Sequence, residues 1–539
     1  MGYWAEAPLP RDQMVLISTT LGDCVPEDHP VRLFEEILSS LDWSAWEQYY
    51  CQVAGQPAIP PRIVAGAILY GLSQGLRSSR RLEWACKNAV DFMWLVEGRQ
   101  IDHSTFCGFR TRFEKELKDL FKQIGRLAMG MGLIRLNQVA LDGTRVRANS
   151  SRHATASAQT LEERLAALDQ QIAEMFAQAA GTDVGESDLF GDSCSPSHLP
   201  RELAEMKRRQ EALAKALEAA RKLESKRAAK EGEDKDKDKD KEKGKAKTKK
   251  PAKVPVADAE SEVLPNKEGG FAPNHSPTAA VDGTCGLIVD AEVISDSSEP
   301  EAVIPTVERI EENFGKLPEE LLADTGFGTG NNLTDLADMG VEAFVPPEGA
   351  KVPKDNPAQR ADPTQPVPES DWPKLPRRPQ THKLDRAAFI YDPQVDCYWC
   401  PMGRKLEWNQ TREKERLAGE DSIYEVYRCQ ECAGCPLAKD CLAGSAKSRI
   451  VSRDQHEDHR EAALARLNTE EGRKVYGRRA WMAETPYAFI KTVMGLRQFL
   501  LRGLDKVRME WRWACAAYNL RKLVTIVGAL RARPVMAGN

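Results

Sequence analysis

Apolar residues in the first 135 positions recur every three or four residues, which is the spacing of amphipathic helices. Helices are predicted after Pro60-Pro61, through Leu82–Cys86, and from Ser104, which we expect to be an N-cap. Arg110 and Arg112 flank the apolar stripe of this last helix, which consists of Phe106, Phe109, Phe113 and Leu117. Short helices with a basic final member are typical of a helix-turn-helix unit, although many helical bundles share the pattern. Residues 1–135 are therefore predicted to form a helical N-terminal DNA-binding domain.

From residue 136 onward, short apolar runs that end at turns predict strands. The first run ends near Asp142-Gly143, and two later runs flank the hairpin turn signal Asp282-Gly283. The predicted strands are Leu136–Thr144, Thr278–Asp282, Gly286–Val293, Glu320–Asp324 and Glu342–Pro346. Because helical spacing separates the later strands, the pattern predicts an α/β core. This core would consist of residues 136–156, 265–349 and 461–539.

Three further segments interrupt this core. Residues 157–230 carry a heptad pattern that predicts an antiparallel helical hairpin, with a seam that begins at Leu161, Leu165, Leu168, Ile172 and Met175. Residues 231–264 begin with a run of Lys, Asp and Glu without apolar residues, so we expect a charged disordered linker. Residues 350–460 are predicted to form a proline-rich loop followed by a cysteine-rich insertion.

Composition is that of an ordinary protein of 539 residues, with 41% hydrophobic and 29% charged residues and a net charge of −5. The charge is unevenly distributed: 14 Lys and Arg stand against 4 Asp and Glu from Glu471 onward. This basic end suggests a polyanionic partner, although a solvated basic helix face would look the same. No signal-peptide pattern and no apolar run of about 20 residues is visible, so we expect a cytoplasmic protein with no membrane span.

Six of the thirteen cysteines lie within the cysteine-rich insertion: Cys397, Cys400, Cys429, Cys432, Cys435 and Cys441. Two Cys-x-x-Cys knuckles predict a structural zinc site of the ribbon type, in which four of the six thiols bind Zn²⁺. One alternative ligand set consists of Cys429, Cys432, Cys435 and Cys441, whose spacing also resembles an iron–sulfur run. Thiols without a metal are the remaining alternative. Since few apolar residues are evident here, we expect the metal to stabilise the insertion.

Carboxylates follow two of the predicted strands. Asp142 and Asp324 each end an apolar strand, where an α/β sheet presents its functional groups. Glu484 lies in a predicted helix, with Lys491 seven residues later on the same face. Three converging carboxylates would suit two Mg²⁺ ions, which prefer oxygen ligands. Taken singly, an Asp after a strand is more often a turn residue, and a helical Glu is usually solvated.

Four groups of residues resemble the bacterial insertion-sequence DDE transposases with a helical N-terminal domain and a cysteine-rich insertion. The first is Asp102-His103-Ser104-Thr105 with Phe109-Arg110, the second is Val139–Thr144, and the third is Leu322–Phe327. The fourth runs from Tyr476 to Leu523 and includes these residues: Arg479, Glu484, Phe489, Lys491, Gly495, Arg497, Arg502, Lys506, Ala517 and Asn519. Together the groups cover most of the chain outside the helical hairpin and the charged linker.

The resemblance implies an α/β ribonuclease H-like catalytic core with Asp142, Asp324 and Glu484 as catalytic ligands of two Mg²⁺ or Mn²⁺ ions. It also implies cleavage at transposon ends and strand transfer into target DNA by in-line phosphoryl transfer. The expected DNA contacts are Tyr476, Arg479, Lys491, Arg497, Arg502, Lys506 and Arg508, besides Arg110 and Arg112. The expected partners are terminal inverted repeats and target DNA, bound by a homodimer in the nucleoid. The alternatives are an inactive transposase-derived DNA-binding protein and a metal-dependent nuclease without strand transfer.

Overall fold

The computed structural model describes residues 20–50, 57–190, 201–237, 251–265, 270–294, 299–347, 356–378, 381–414 and 422–532. Within these ranges, no helix has both the length and the apolar character that crossing a bilayer requires. The N-terminal part is helical, as its hydrophobic spacing predicts. Its helices are α1 (Pro30–Ser39), α2 (Ser44–Glu47), α3 (Pro61–Ser73), α4 (Ser79–Asn88), α5 (Val90–Leu95), α6 (His103–Arg112) and α7 (Glu114–Gly130).

The N-cap of helix α6 lies two residues before the predicted one. The side chain of Asp102 accepts a hydrogen bond from the backbone N–H of Ser104 at 2.7 Å, so Asp102 is the N-cap and the prediction of Ser104 is wrong. On the buried face of the same helix, Phe109 stacks on Trp46, with ring centroids 5.3 Å apart. Trp46 also contacts Trp513 of the C-terminal helix. The N-terminal helices therefore share one hydrophobic core with the central sheet and the C-terminal helix.

The central part alternates strands and helices. Its strands are β1 (Gln138–Gly143), β2 (Val146–Arg147), β3 (Thr155–Ala156), β4 (Val254–Pro255), β5 (Glu262–Pro265), β6 (Phe271–Asp282), β7 (Ile288–Ile294), β8 (Glu320–Leu322) and β9 (Glu342–Phe344). Its helices are α8 (Ala158–Phe190), α9 (Arg201–Lys237), α10 (Val303–Phe314) and α11 (Gly330–Asp338). The predicted strands and the turn at Asp282-Gly283 are therefore present.

Five of these strands form the sheet that carries the carboxylates, in the order β7-β6-β1-β8-β9. Strand β6 is antiparallel to β1 and to β7, whereas β1, β8 and β9 are mutually parallel. Because β1 and β8 run side by side in the same direction, their carboxyl ends meet at one edge of the sheet. The N-terminal half of β6 extends past this edge and pairs with β2 and β5.

Helices α8 and α9 form the predicted hairpin, since side chains near the start of α8 contact those far along α9. Arg221 pairs with Glu162, and Gln210 donates to Asp169, which fixes an antiparallel arrangement. The prediction of a disordered linker over 231–264 is wrong at both ends. Helix α9 continues to Lys237, and β4 and β5 lie within residues 251–265. The charged composition of the linker stops at Lys250, and Val254 beyond it is buried. Residues 238–250 lie outside the described part.

The cysteine-rich insertion contains a separate antiparallel sheet. Its strands, in spatial order, are β10 (Ile390–Asp392), β11 (Cys397–Trp399), β12 (Lys405–Lys414), β13 (Ser422–Cys429) and β14 (Ile450–Asp454), with the short helix α12 (Ala438–Cys441) beside them. Tyr398, Leu406 and Tyr427 are buried together with residues of the preceding proline-rich segment. The insertion therefore has its own hydrophobic core, and the expectation that it has few apolar residues is wrong.

The C-terminal part is helical, with α13 (Glu457–Asn468), α14 (Glu470–Gly477), α15 (Arg479–Thr492) and α16 (Leu504–Arg531). Helix α16 is buried along much of its length between the N-terminal helices and the sheet. Its buried Asn519 side chain accepts from the N–H of Ile288 at 2.9 Å and donates to the carbonyl of Ile288 at 2.7 Å. The Asn519 amide thus satisfies the free backbone edge of β7.

Candidate active site

Asp142 lies at the carboxyl end of β1, half-buried beside the turn at Gly143. Burial raises the pKa of its carboxyl group above the ordinary range for aspartate. The charges of Asp324 and Glu484 raise this pKa further, whereas the guanidinium of Arg479 and the N–H of Gly143 lower it. One Arg479 nitrogen lies 3.8 Å from Asp142 Oδ1. Asp142 is therefore close enough to both other candidate carboxylates to feel their charge.

Asp324 follows β8, next to the end of β1. Its Oδ1 accepts a hydrogen bond from the backbone N–H of Gly326 at 2.8 Å and so caps the 3-10 turn Thr325–Phe327. This cap fixes one carboxylate oxygen and leaves the other available to a ligand. Asp324 thus stabilises a turn, which is the usual role of an Asp after a strand, and it also lies at the edge of the sheet.

Glu484, Tyr487 and Lys491 lie on one face of α15, the face that meets the end of β1. Glu484 is exposed. The Tyr487 hydroxyl donates to the carbonyl of Asp142 at 2.5 Å, and Lys491 donates to Thr144 Oγ1 and to the carbonyl of Arg145. The predicted shared face of Glu484 and Lys491 is therefore present, and it is attached to the segment that carries Asp142.

The three carboxylates supply only oxygen donors, which are the ligands that Mg²⁺ prefers. Across the described ranges, the one group with three potential ligand atoms within 4.8 Å of each other is Glu83, Asp102 and His103. Neither the carboxylates of the sheet edge nor the cysteines are drawn that close together. The all-oxygen chemistry of the carboxylates nevertheless fits divalent cations such as Mg²⁺.

Arg479 and Tyr476 stand beside the carboxylates. The Arg479 guanidinium lies 5.9 Å from the centroid of the Tyr476 ring. Burial raises the pKa of Tyr476, and the charge of Asp324 raises it further. Arg497, Arg502 and Lys506 are exposed on the segment that continues from α15 into α16. Arg497 donates to the carbonyl of Lys491 at 3.4 Å, and Arg502 donates to the carbonyl of Asn149 at 2.8 Å.

Two predicted DNA contacts, Arg110 and Arg508, bind protein groups in this structure. The Arg110 side chain is largely buried and donates to the carbonyl of Arg77 at 2.6 Å, so it serves the packing of α6 against its neighbours. Arg508 pairs with Glu292 at 2.9 Å and with Asp505 at 3.5 Å, and Glu292 also pairs with Arg512 at 3.2 Å. By contrast, Arg112 is exposed, with its guanidinium 5.3 Å from the centroid of the Phe113 ring.

Five of the six clustered cysteines line one small pocket: Cys400, Cys429, Cys432, Cys435 and Cys441. Cys397 is not among them because Cys397–Trp399 is a strand, whose side chains alternate between the two faces of the sheet. Tyr398 and its partner Leu406 belong to the same buried cluster as Cys400, whereas Cys397, paired with Glu407, lies outside that cluster. The structure therefore does not bring Cys397 into the pocket with Cys400, and the two-knuckle zinc site stays a prediction.

Backbone N–H groups point at two of the pocket thiols. Arg404 N–H donates to Cys400 Sγ at 3.4 Å, and Arg449 N–H donates to Cys432 Sγ at 3.3 Å. Burial raises the pKa of the Cys441 thiol to about 11, and the charges of Cys432, Cys400 and Cys435 contribute. Soft thiol donors with N–H groups directed at them suit a thiolate-bound zinc ion.

The sequence analysis missed two residues at the sheet edge. Tyr487 could have been identified from the sequence, since it follows Glu484 by three residues and therefore shares its helical face. Glu299 could not, because it lies in the 3-10 turn Glu299–Ala302, outside any apolar pattern. Burial raises the pKa of Glu299, and the charges of Asp324 and Asp142 raise it further.

The site thus consists of a mixed sheet with acidic residues at the ends of two adjacent strands and a neighbouring helix that carries a third acidic residue. Residues 399–524 match the family model described as a transposase DDE domain, and residues 19–112 match a second described as a transposase domain, DUF772. The two matches support an insertion-sequence DDE transposase, which confirms the resemblance carried by the sequence motifs. No curated protein matches the chain.

The DDE domain implies a ribonuclease H-like fold, and the order β7-β6-β1-β8-β9 is in keeping with it. It also implies DNA as the substrate and the use of divalent metal ions such as Mg²⁺. The matched range contains Glu484 and the five pocket cysteines, whereas Asp142 and Asp324 lie outside it. The assignment of these two aspartates therefore depends on the geometry of the sheet.

Proposed function

We propose that the chain cleaves DNA at transposon ends and joins the freed ends to target DNA, with Asp142, Asp324 and Glu484 as its catalytic carboxylates. The observation that carries this proposal is that Asp142 and Asp324 follow adjacent parallel strands, while Tyr487 ties the helix that carries Glu484 to the carbonyl of Asp142. Two bound Mg²⁺ or Mn²⁺ ions would supply activation of the attacking hydroxyl and stabilisation of the leaving oxygen in an in-line displacement.

The protein side chains bind and orient the DNA. Arg479, which stands 3.8 Å from Asp142, and the neighbouring Tyr476 hydroxyl hold a phosphate next to the carboxylates. Lys491 keeps the turn after β1 in place through Thr144 and adds positive charge beside it. Arg497, Arg502 and Lys506 extend the phosphate contacts along the strand, and exposed Arg112 contributes from the N-terminal helices. A homodimer pairs two transposon ends.

The cysteine pocket holds a structural Zn²⁺ ion through Cys400, Cys432, Cys435 and Cys441. The backbone N–H groups directed at Cys400 Sγ and Cys432 Sγ support this set. Cys429 is the last residue of β13 and also lines the pocket. The zinc ion would fix the turn before β12, the loop after β13 and helix α12 to one another.

Cleavage of labelled transposon-end DNA in Mg²⁺ tests the catalytic proposal. Wild-type protein should nick the end and join it to a target plasmid, whereas Asp142→Asn and Asp324→Asn should bind the DNA without nicking it. Glu312→Gln, an exposed change on α10, is the matched control and should cleave normally. Binding without nicking by the wild type would favour the DNA-binding protein, and nicking without joining would favour the nuclease.

A further inference from the structure

A fourth carboxylate lies between the two aspartate turns. A Cβ atom added to Gly326 would lie 2.9 Å from Glu299 Oε2 and 3.0 Å from Asp324 Oδ1. A Cβ atom added to Gly143, next to Asp142, would lie 3.6 Å from Glu299 Oε1. The Glu299 carboxylate therefore occupies the space that the two glycines leave open, and it faces both turns that follow β1 and β8.

Asn332 holds the Glu299 turn in this position. Its buried amide nitrogen donates to the carbonyl of Pro300 at 2.9 Å and to the carbonyl of Phe327 at 2.9 Å. One side chain thus joins the 3-10 turn Glu299–Ala302 to the turn that Asp324 caps. A buried amide that is satisfied by two separate turns fixes their distance.

The Glu299 carboxylate faces the turns that follow β1 and β8, and each of these turns carries a carboxylate of its own, Asp142 or Asp324. Like charges held together by the fold are typical of a site that a cation completes.

We propose that Glu299 is a metal ligand of the active site, a fourth carboxylate beside Asp142, Asp324 and Glu484. This inference rests on the proposed function, because it assumes that the sheet edge binds divalent ions. Glu299 comes from the segment between β7 and α10, whereas Glu484 comes from α15. Asn332 is its positioning residue.

Calorimetric titration of the full-length protein with Mn²⁺ tests the inference separately from catalysis. Glu299→Gln should weaken Mn²⁺ binding by roughly tenfold or more, which is the scale on which metal sites respond to loss of a supporting group. Glu312→Gln should bind as the wild type does, and Asp142→Asn should lose binding. If Glu299→Gln binds normally while Asp142→Asn does not, the inference fails and the proposed function stands. If both variants bind normally, both proposals fail.

Thermal unfolding provides a second measurement that guards against a misfolded variant. In metal-free buffer, Glu299→Gln should unfold at the same temperature as the wild type or at a higher one, because the substitution removes a repelling charge. Added Mn²⁺ should then stabilise the variant less than the wild type. An equal Mn²⁺-dependent shift in the two proteins would overturn the assignment of Glu299.

Discussion

The hydroxyl of Tyr487 donates a hydrogen bond to the backbone carbonyl of Asp142 at 2.5 Å. This contact ties α15, which carries Glu484, to the end of β1, which carries Asp142. The Tyr487 ring is buried and stacks on Trp511 of α16, with ring centroids 6.0 Å apart. The separation between the first and the third carboxylate is therefore set by a buried aromatic side chain.

Tyr487→Phe should lower both stability and cleavage. Loss of one buried hydrogen bond should reduce the free energy of unfolding by about 1–2 kcal/mol, measured by urea denaturation. Cleavage of end DNA should fall by roughly tenfold or more, because small displacements of reacting groups are costly. Tyr518→Phe is the matched control, since Tyr518 also donates to a backbone carbonyl, that of Gly286, at 3.1 Å. It should lower stability alone, and equal cleavage defects in both variants would contradict this role for Tyr487.

The strands that carry the aspartates could be predicted because their signals are local. Apolar runs ending at Asp142 and Asp324 identify β1 and β8, and the Asp-Gly step at residue 282 identifies the hairpin. The convergence of the three carboxylates is not a local property of the sequence, and it was predicted only from the family resemblance. Tyr487 was within reach of helical spacing, but its partner, the carbonyl of Asp142, becomes visible only once α15 is packed on the sheet.

Matched serine variants of Cys397 and Cys400 should differ in zinc content. Zinc measured by mass spectrometry should remain at about one ion per chain in Cys397→Ser, since Cys397 does not line the pocket. Cys400→Ser should lose most of the zinc and unfold at a lower temperature. Equal zinc loss in the two variants would support the two-knuckle hypothesis, and iron in the wild type would favour a cluster.

His456 should make stability depend on pH. Its Nδ1 lies 2.8 Å from Thr334 Oγ1 in α11, and burial lowers the pKa of the ring below 6.5, with Asp454 opposing and Arg460 assisting. The unfolded chain then binds more protons than the native protein as the pH falls below about 6.5, so stability decreases in that range. Urea denaturation between pH 7.5 and 5.5 should show a steeper loss for the wild type than for His456→Gln. Parallel pH profiles would contradict this account.

Where prediction from sequence failed, the deciding contacts lie far away in the chain. Arg110 has the position of a basic recognition-helix residue, yet the packing of α6 on α16 buries it. The segment 251–265 looked like the end of a charged linker, but Asp258 accepts from the N–H of Gly503 at 3.2 Å and lies 3.0 Å from His275. These partners are hundreds of residues away or in another strand, so composition and residue spacing do not predict the contacts.

Anomalous scattering from crystals grown with Mn²⁺ tests the central claim most directly. We predict two manganese peaks at the edge formed by β1 and β8, each about 2.1 Å from a carboxylate oxygen of Asp142, Asp324 or Glu484. The group Glu83, Asp102 and His103 provides an internal comparison, because its ligand atoms already lie within 4.8 Å of one another. Manganese bound there, with none at the sheet edge, would contradict the account.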